Sequence, residues 1–248
     1  MTDEYGLPDD IALLWGLREM PRRGRKPSLT ITDITRAAIE IADAEGLGAV
    51  SMARVAQQLG NSTMALYRHV KSKDELLALM SEAALEMPPE IPADTDWRTG
   101  LTLWTNSVRK TLSRHPWYAH IPLNGPPAGP RNLAWLDSAL GTLADTPLDE
   151  GDKIRIVMGL ITFVHGDLRF SVQVMEGFQE NPEAFGRSYS QALKVVVDPR
   201  KMPALGRLVA AGVFDYDNLY DEQFVEDDFA FSLNFYLDGV AAHMARKG

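Results

Sequence analysis

The sequence of 248 residues contains no cysteine, and this absence excludes disulfides, thiolate catalysis and cysteine-ligated zinc. No apolar run approaches the ~20 residues that a membrane-spanning helix needs. The apolar run at residues 11–17 is too short, and because its basic residues follow it instead of preceding it, it is a poor signal peptide. We therefore expect a cytoplasmic protein without a membrane partner.

Motifs of common enzyme and metal sites are also missing. There is no Gly-x-Gly-x-x-Gly, phosphate loop, nucleophile elbow or His-Glu-x-x-His, and the five histidines lack metal-ligand spacing. The acidic stretch 215–228 fails as a calcium loop, because Leu219 would take a ligand position and Tyr220 would replace the turn glycine. We predict no enzyme activity, no metal and no cofactor; a catalytic site assembled only by the fold stays open as an alternative.

The net charge of −9 is unevenly distributed along the chain. Residues 18–73 hold ten lysines and arginines and five acidic residues, a net charge of +5, so the remainder carries −14. A basic region on an acidic body can bind phosphates locally while the body repels nonspecific contact. The length and the 45% apolar share allow one large domain, or a small domain joined to a larger one.

Residues 51–73 have the form of a helix-turn-helix. A first helix with one apolar face is followed by a turn at Gly60 and Asn61, and a second short helix points Leu66 and Val70 inward. The outward face of that second helix carries aromatic, basic and hydrogen-bonding groups, which suits the DNA major groove. Its members are Thr63, Met64, Tyr67, Arg68 and His69.

Periodicity predicts helices along most of the chain and no strand of useful length, so we predict an all-α fold. A helix at about 32–45 ends at Gly46, Ser51 is an N-cap, and Ser72 with Glu75 forms a capping box for a helix that ends before Pro88. The predicted divisions are an extension and basic arm at 1–27, a helix-turn-helix domain at 28–87 and a helical body at 93–248. In the body, helices near 154–175 and 229–244 are apolar on both sides, which indicates a subunit interface.

The segment 21–27 is the basic arm, and its prolines and glycine argue against a helix. Its positive charges suit a minor groove, and the arm can become ordered only on binding. The alternative is a solvated linker. The charged members are Arg22, Arg23, Arg25 and Lys26.

The helix-turn-helix residues, read as Ala-Leu-Tyr-Arg-His-Val followed by Lys73-Asp74-Glu75-Leu76-Leu77, resemble the TetR family of transcriptional regulators. The resemblance is strong over about 27–87 and weaker through the helical C-terminal region. It implies a three-helix N-terminal domain joined through a fourth helix to a larger ligand-binding and dimerisation domain. It also implies a homodimer, held by a four-helix bundle, on a palindromic double-stranded DNA operator.

The resemblance places Tyr67, His69 and Lys73 where family members usually contact phosphate. Lys73 also begins a helix whose peptide N–H groups can bind a phosphate. Ser51 and Arg54, on the preceding helix, are further phosphate candidates.

Base contacts are assigned to Thr63, Met64 and Arg68. Arg68 could pair with guanine N7 and O6, and Met64 could touch a thymine methyl. The alternative is that all these groups are ordinary surface residues of a small helical bundle.

The body contains large residues suited to an apolar cavity with a few polar anchors, which is the usual form of a small-molecule site. The alternative is that the aromatic residues only fill the core. Within the family the pattern Trp97-Arg98, Arg109 and Phe163-x-x-Gly166 is similar to the tetracycline-repressor branch. The candidate ligand-binding residues are Trp104, Val108, Trp117, His120, Trp135, Thr162, Phe163, Gly166, Phe170 and Gln173.

In the tetracycline-repressor branch an asparagine, a phenylalanine, two histidines and a glutamate hold a drug with magnesium. By the same register this chain has Trp104 and Val108 for the first pair, Thr162 and Phe170 for the last pair, and His120 for the loop histidine. The metal-binding carboxylate is therefore missing, and we expect a more hydrophobic effector without a metal. The resulting prediction is a ligand-responsive repressor; the alternative is a DNA-binding regulator without a small-molecule ligand that acts through a protein partner.

Overall fold

The computed structural model describes residues 7–17, 29–122, 125–181, 187–215 and 222–247. These residues are mostly helical and contain no β-strand, which confirms the all-α fold. The predicted arm, with Arg22, Arg23, Arg25 and Lys26, lies outside them. The helices are α1 Asp9–Leu14, α2 Ile31–Glu45, α3 Met52–Gln58, α4 Thr63–Tyr67, α5 Lys73–Ala84, α6 Trp97–Ser113, α7 Pro130–Thr142, α8 Glu150–Glu180, α9 Arg187–Val196, α10 Pro203–Ala210 and α11 Glu222–Met244. Short 3₁₀ turns occupy Leu47–Ala49 and Pro116–His120.

The chain divides into two compact units, Met1–Leu168 and Arg169–Gly248, and the division falls within α8. The head–body boundary expected near residues 88–92 lies inside the first unit and stays a prediction. No helix among the described residues is long and apolar enough to cross a membrane.

Helix α2 begins one residue earlier than the periodicity predicts, because Thr30 is its N-cap. The Thr30 hydroxyl accepts a hydrogen bond from the Asp33 N–H, and the Asp33 carboxylate accepts one from the Thr30 N–H, so the two residues form a capping box. The hydrogen bond from the Thr30 side chain holds the pKa of Asp33 below its usual value. The helix ends at Gly46, as predicted, where a φ of 80° favours glycine.

The core of the predicted helix-turn-helix is formed by α2, α3, α4 and α5, which pack against one another. Leu66 and Val70 are fully buried, as the pattern predicts. Ser51 is the predicted N-cap of α3, since its hydroxyl accepts a hydrogen bond from the Arg54 N–H at 3.1 Å. Gly60 turns the chain between α3 and α4 with a φ of 63°.

The rest of the first unit contains α1, α6, α7 and residues 150–168 of α8. Helix α6 packs against α7, and its Asp96 N-cap accepts hydrogen bonds from the N–H groups of Arg98 and Thr99. Arg109 on α6 pairs with Asp167 on α8, with 3.2 Å between Nε and Oδ2. One stripe of α8 is buried at helical spacing and comprises Ile156, Val157, Leu160, Val164 and Leu168.

In the second unit α9 packs against α10, and Asp215 accepts hydrogen bonds from Lys194 at 2.6 Å and Ser190 at 3.0 Å. The contact with Lys194 lowers the pKa of the Asp215 carboxyl. Helix α11 has two apolar faces, as predicted. One is buried within the chain and comprises Phe229, Leu233, Leu237, Val240 and Met244.

The second apolar face of α11 is exposed. It carries Phe231 and Phe235, which are 64% and 67% exposed, with ring centroids 4.9 Å apart. A pair of neighbouring exposed aromatic rings is typical of a surface that contacts another molecule.

Candidate nucleic-acid interface and body interior

Helix α4 presents an outward face of three large side chains at helical spacing. Met64 is 72% exposed, Tyr67 is 45% exposed, and Arg68, the C-cap, is also exposed. Leu66, on the opposite side, is fully buried and fixes the rotation of the helix. Residues three and four apart lie on one helix face, so Met64, Tyr67 and Arg68 form a common surface.

Two further candidates flank this surface. Thr63 is half-buried as the first residue of α4, after the N-cap Ser62, whose hydroxyl accepts a hydrogen bond from the Ala65 N–H. His69 is half-buried, and its Nδ1 atom has no hydrogen-bond partner among the described residues. Burial, with a smaller contribution from Arg68, lowers the pKa of His69, so the imidazole is neutral at pH 7 and can donate one N–H to an anion.

The remaining cationic candidates lie around the turn between α4 and α5 and on α3. Lys73 is exposed as the first residue of α5, after the predicted Ser72 N-cap. The Glu75 N–H donates to the Ser72 hydroxyl at 3.1 Å, but the Glu75 carboxylate accepts a hydrogen bond from the Lys71 N–H at 2.7 Å, so the helix has the predicted Ser72 cap without the reciprocal half of the predicted capping box. Arg54 is half-buried, and its guanidinium contacts Glu45 at 2.7 Å.

In the body, the predicted aromatic ligand-binding residues of α6 and α7 are part of the core. Trp104 and Trp135 are buried, and their rings meet edge to face with centroids 5.9 Å apart. The Trp104 indole donates a hydrogen bond to the Trp135 carbonyl oxygen at 2.8 Å, and the Trp135 indole donates to that of Glu86 at 2.7 Å. Val108 is buried on the same helix as Trp104. This packing supports the core-filling alternative for the two indoles.

The other predicted ligand-binding residues are mostly exposed. His120, Thr162 and Gly166 are exposed and Phe163 is half-buried, whereas Trp117 is buried. The Thr162 hydroxyl donates to the Met158 carbonyl oxygen at 2.9 Å. Phe170 and Gln173 are exposed on the part of α8 that belongs to the second unit.

A junction between α5 and α7 was not predicted from the sequence. The buried Glu82 carboxylate on α5 accepts hydrogen bonds from the Arg131 N–H and from the N–H and Nδ2 of Asn132. In return, the Arg131 guanidinium donates to the carbonyl oxygens of Ala83 and Leu85, each at 2.8 Å. Each helix therefore satisfies the terminal backbone groups of the other.

A second unpredicted junction joins α2 to the 3₁₀ turn at 116–120. One oxygen of Asp43 accepts the Trp117 indole N–H at 2.6 Å and lies 2.7 Å from the His115 Nδ1. The next residue, Tyr118, is bonded to Ser81 on α5 at 3.3 Å and meets the His165 ring on α8 edge to face at 5.7 Å. Burial raises the pKa of Tyr118.

Within the described ranges, no group of three or more histidine and acidic side chains is arranged to hold a metal ion. Residues 216–221 of the acidic stretch 215–228 lie outside these ranges.

Two family models cover most of the chain. The model for bacterial regulatory proteins of the tetR family matches residues 34–80, and the tetracyclin repressor-like C-terminal domain matches residues 89–244. Among curated proteins, the chain is 30% identical over 243 residues to the HTH-type transcriptional repressor DrrR1 of Streptomyces coeruleorubidus. This alignment covers 96% of this chain and 86% of the relative.

Among solved structures, ActR, a TetR family protein of Streptomyces coelicolor, is similar to this chain in two complexes. The complex with actinorhodin has a TM-score of 0.72 and 26% identity, and it covers 88% of this chain and 98% of ActR. The complex with (S)-DNPA has a TM-score of 0.70 and 26% identity, and it covers 89% and 99%.

Proposed function

The chain belongs to the TetR family of transcriptional regulators, with a tetracycline-repressor-like C-terminal domain, and we propose that it represses transcription as an operator-bound homodimer released by a small, largely hydrophobic molecule. In this proposal residues 28–87 form the DNA-binding head and residues 93–248 the ligand-binding and dimerisation body, and the protein has no enzymatic activity.

The observation that carries the proposal is the outward face of α4. Met64, Tyr67 and Arg68 are exposed together on a short helix whose other side fills the core. A monomeric protein gains nothing in stability by exposing a methionine and a tyrosine beside an arginine, whereas a recognition helix needs such groups for base edges. We assign base contacts to Thr63, Met64 and Arg68.

Phosphate contacts are assigned to groups around the recognition helix. Tyr67 and the neutral His69 donate hydrogen bonds, and Lys73 supplies a charge beside the N-terminus of α5. Ser51 and Arg54 add contacts from α3, and release of Arg54 from Glu45 is required for its contact. The basic arm, through Arg22, Arg23, Arg25 and Lys26, enters the adjacent minor groove.

A homodimer is supported by the exposed aromatic face of α11. Phe231 and Phe235 are followed on the same face by Gly239 and Ala242, whose small size lets a second helix approach closely. Burial of this face against a second copy removes the exposed aromatic patch from water. A twofold dimer presents its two heads to a palindromic operator, with half-sites ~34–36 Å apart.

The effector proposal is supported by the apolar character of the body and by the ligand-bound structures of ActR. In the first unit its proposed binding residues are Trp117 and Phe163, with His120, Thr162 and Gly166 as flanking groups. Phe170 and Gln173, in the second unit, are separate candidates. Trp104, Val108 and Trp135 form the wall, because Val108 is buried and apolar and both indole N–H groups are already bonded within the core. No metal takes part in this proposal.

Release of DNA requires that the effector bind the two states of the protein with different affinity. If the effector prefers the free conformation, DNA weakens effector binding by the same factor by which the effector weakens DNA binding. Equal effector affinity for free and operator-bound protein would therefore contradict the proposed regulation while leaving the DNA-binding function intact.

The test is fluorescence anisotropy with DNA that flanks the protein's own gene, over a series of salt concentrations. Arg68→Ala should lower affinity for the operator by about 1–3 kcal/mol and relax specificity at one position. Lys201→Ala, which removes one exposed positive charge from the body, is the matched control and should bind as the native protein does. Weak, sequence-indifferent binding that Arg68→Ala does not change, both here and in a random-sequence selection, would refute the proposal.

A further inference from the structure

The N-terminal helix α1 has only six residues but ends in a complete C-cap. Its C-terminus forms a Schellman motif, in which the Leu17 N–H bonds to the Ala12 carbonyl oxygen at 2.8 Å and the Gly16 N–H bonds to that of Leu13 at 3.1 Å. Gly16 takes a φ of 65°, which L side chains rarely adopt. Such a short helix is unstable in isolation, so contacts with the rest of the protein must hold it.

Those contacts are with α5, the helix that leads from the head to the body. Helix α1 packs against α5, and its Ala12 and Leu13 are buried, at 1% and 3% exposure. Burial of these two side chains removes apolar surface from water and is the main contribution to docking.

Polar contacts tie α1 to both sides of the joint. On the head side, the Lys71 ammonium donates to the Asp9 carboxylate at 2.7 Å, immediately before α5 begins. On the body side, the Trp15 indole donates to the Ala128 carbonyl oxygen at 2.8 Å, immediately before α7 begins. Both polar contacts are exposed and contribute little, so they orient α1, and the burial of Ala12 and Leu13 dominates the docking.

We propose that residues 8–17 form a brace that restrains the position of α5 relative to α7. A change in the angle between α5 and α7 must lengthen the Lys71–Asp9 contact, break the Trp15–Ala128 hydrogen bond, or expose Leu13 to solvent. The consequence for DNA rests on the proposed function: a restrained head loses less conformational freedom when it binds, so the brace increases operator affinity.

The test of the brace uses the free protein and needs no DNA. Amide hydrogen exchange is measured for native protein and for Leu13→Ala/Trp15→Phe, which removes buried surface and the indole donor. Amides of α5 and of the first turn of α7 should exchange on the order of tenfold faster in the variant. The segment 156–164 of α8, in the same unit, carries the buried stripe of that helix; it is the internal reference and should not change.

Two controls separate the brace from a general effect on stability. Leu17→Ala removes the same side-chain atoms as Leu13→Ala, but at an exposed position of the same segment. In this variant the amides of α5 and α7 should exchange at the native rate. Leu13→Met keeps the side-chain volume and should restore slow exchange. Unchanged exchange in α5 and α7, or equally faster exchange in 156–164, would overturn the proposal.

The same double variant is then compared with native protein on operator DNA. Affinity for the operator should fall severalfold, because the restraint on α5 is lost. Its dependence on salt should not change, because we assign no phosphate contact to α1. Equal or higher affinity would overturn the functional part of the brace proposal. Absence of operator binding in the native protein would instead refute the proposed function, and the exchange result would still decide whether the brace exists.

Discussion

Removal of the Glu82 carboxylate is the sharpest test of the junction between α5 and α7. Glu82 is buried, and its carboxylate accepts three hydrogen bonds from the start of α7, whose N-cap residue Gly129 supplies no side-chain acceptor. Glu82→Ala leaves the N–H groups of Arg131 and Asn132 without their partner and removes a negative charge from the positive end of the α7 dipole.

The expected cost follows from these losses. An unsatisfied buried donor costs about 1–3 kcal/mol, and the half-buried N–H groups of Arg131 and Asn132 fall at the lower end of that range. Together with the charge–dipole contribution, Glu82→Ala should lower the free energy of unfolding by about 2–4 kcal/mol. In a protein of this size that corresponds to a fall in Tm of roughly 4–16 °C.

Gly129→Ala provides the second arm of a double-mutant cycle. The backbone of Gly129 is in the extended region and accepts alanine, but the added Cβ would overlap the Glu82 carboxylate. The carboxylate must then leave its partners, so Gly129→Ala alone should cost about 1–2 kcal/mol. With Glu82→Ala already present the overlap is gone, and the further cost should be near zero, giving a coupling of about 1 kcal/mol or more.

The assay is thermal and urea unfolding at fixed protein concentration, followed by two spectroscopic probes to test for two-state behaviour. Glu86→Gln is the matched control, because Glu86 is exposed, lies one turn after Glu82 and pairs with Arg114 at 2.6 Å. That exposed pair should contribute no more than about 1 kcal/mol. Additive effects of Glu82→Ala and Gly129→Ala, or a loss for Glu82→Ala no larger than for Glu86→Gln, would refute the reasoning.

Three further predictions concern the DNA face, pH and assembly. Lys73→Ala should reduce the slope of log affinity against log salt by about 0.9, and an unchanged slope would exclude a phosphate contact. Folding lowers the pKa of His69, so as pH falls the unfolded chain takes up a proton at this residue before the folded protein does. The neutral imidazole therefore contributes stability above pH ~6.5, and this contribution is lost at lower pH. His69→Gln should make the free energy of unfolding less dependent on pH, whereas the exposed control His120→Gln should not. Phe235→Glu should yield monomers in sedimentation velocity where the exposed control Val195→Glu does not; a dimeric Phe235→Glu protein would exclude the α11 face.

Local features of the chain were predictable because a few neighbouring residues determine them. The Ser51 and Ser72 caps and the Gly46 end of α2 depend on hydrogen bonds and φ angles within one helical turn. The buried face of α11 follows from helical periodicity over several turns. The inward positions of Leu66 and Val70 followed in the same way, and with them the outward face of α4.

The junctions could not be predicted, because they join residues far apart in the sequence. Asp43 and Trp117 are separated by 74 positions, and Glu82 and Arg131 by 49. A single glutamate in a predicted helix has the same local pattern whether it faces solvent or caps another helix. Aromatic residues carry a similar ambiguity, since Trp104 and Trp135 fit a ligand cavity and a core equally well until their indole partners are known.

The junctions limit how the proposed DNA-binding head can move relative to the rest of the first unit, and this bears on the proposed response to an effector. The head is joined to the rest of the first unit through Asp43, through Glu82 and Arg131, and through α1. Of these contacts, only those of Glu82 begin on α5 itself, whereas Asp43 lies on α2 and Trp15 follows α1, so a tilt of α5 acts directly on the Glu82 hydrogen bonds. Directional hydrogen bonds and close packing resist such graded distortion, and they allow movement mainly by exchange of one complete set of partners for another.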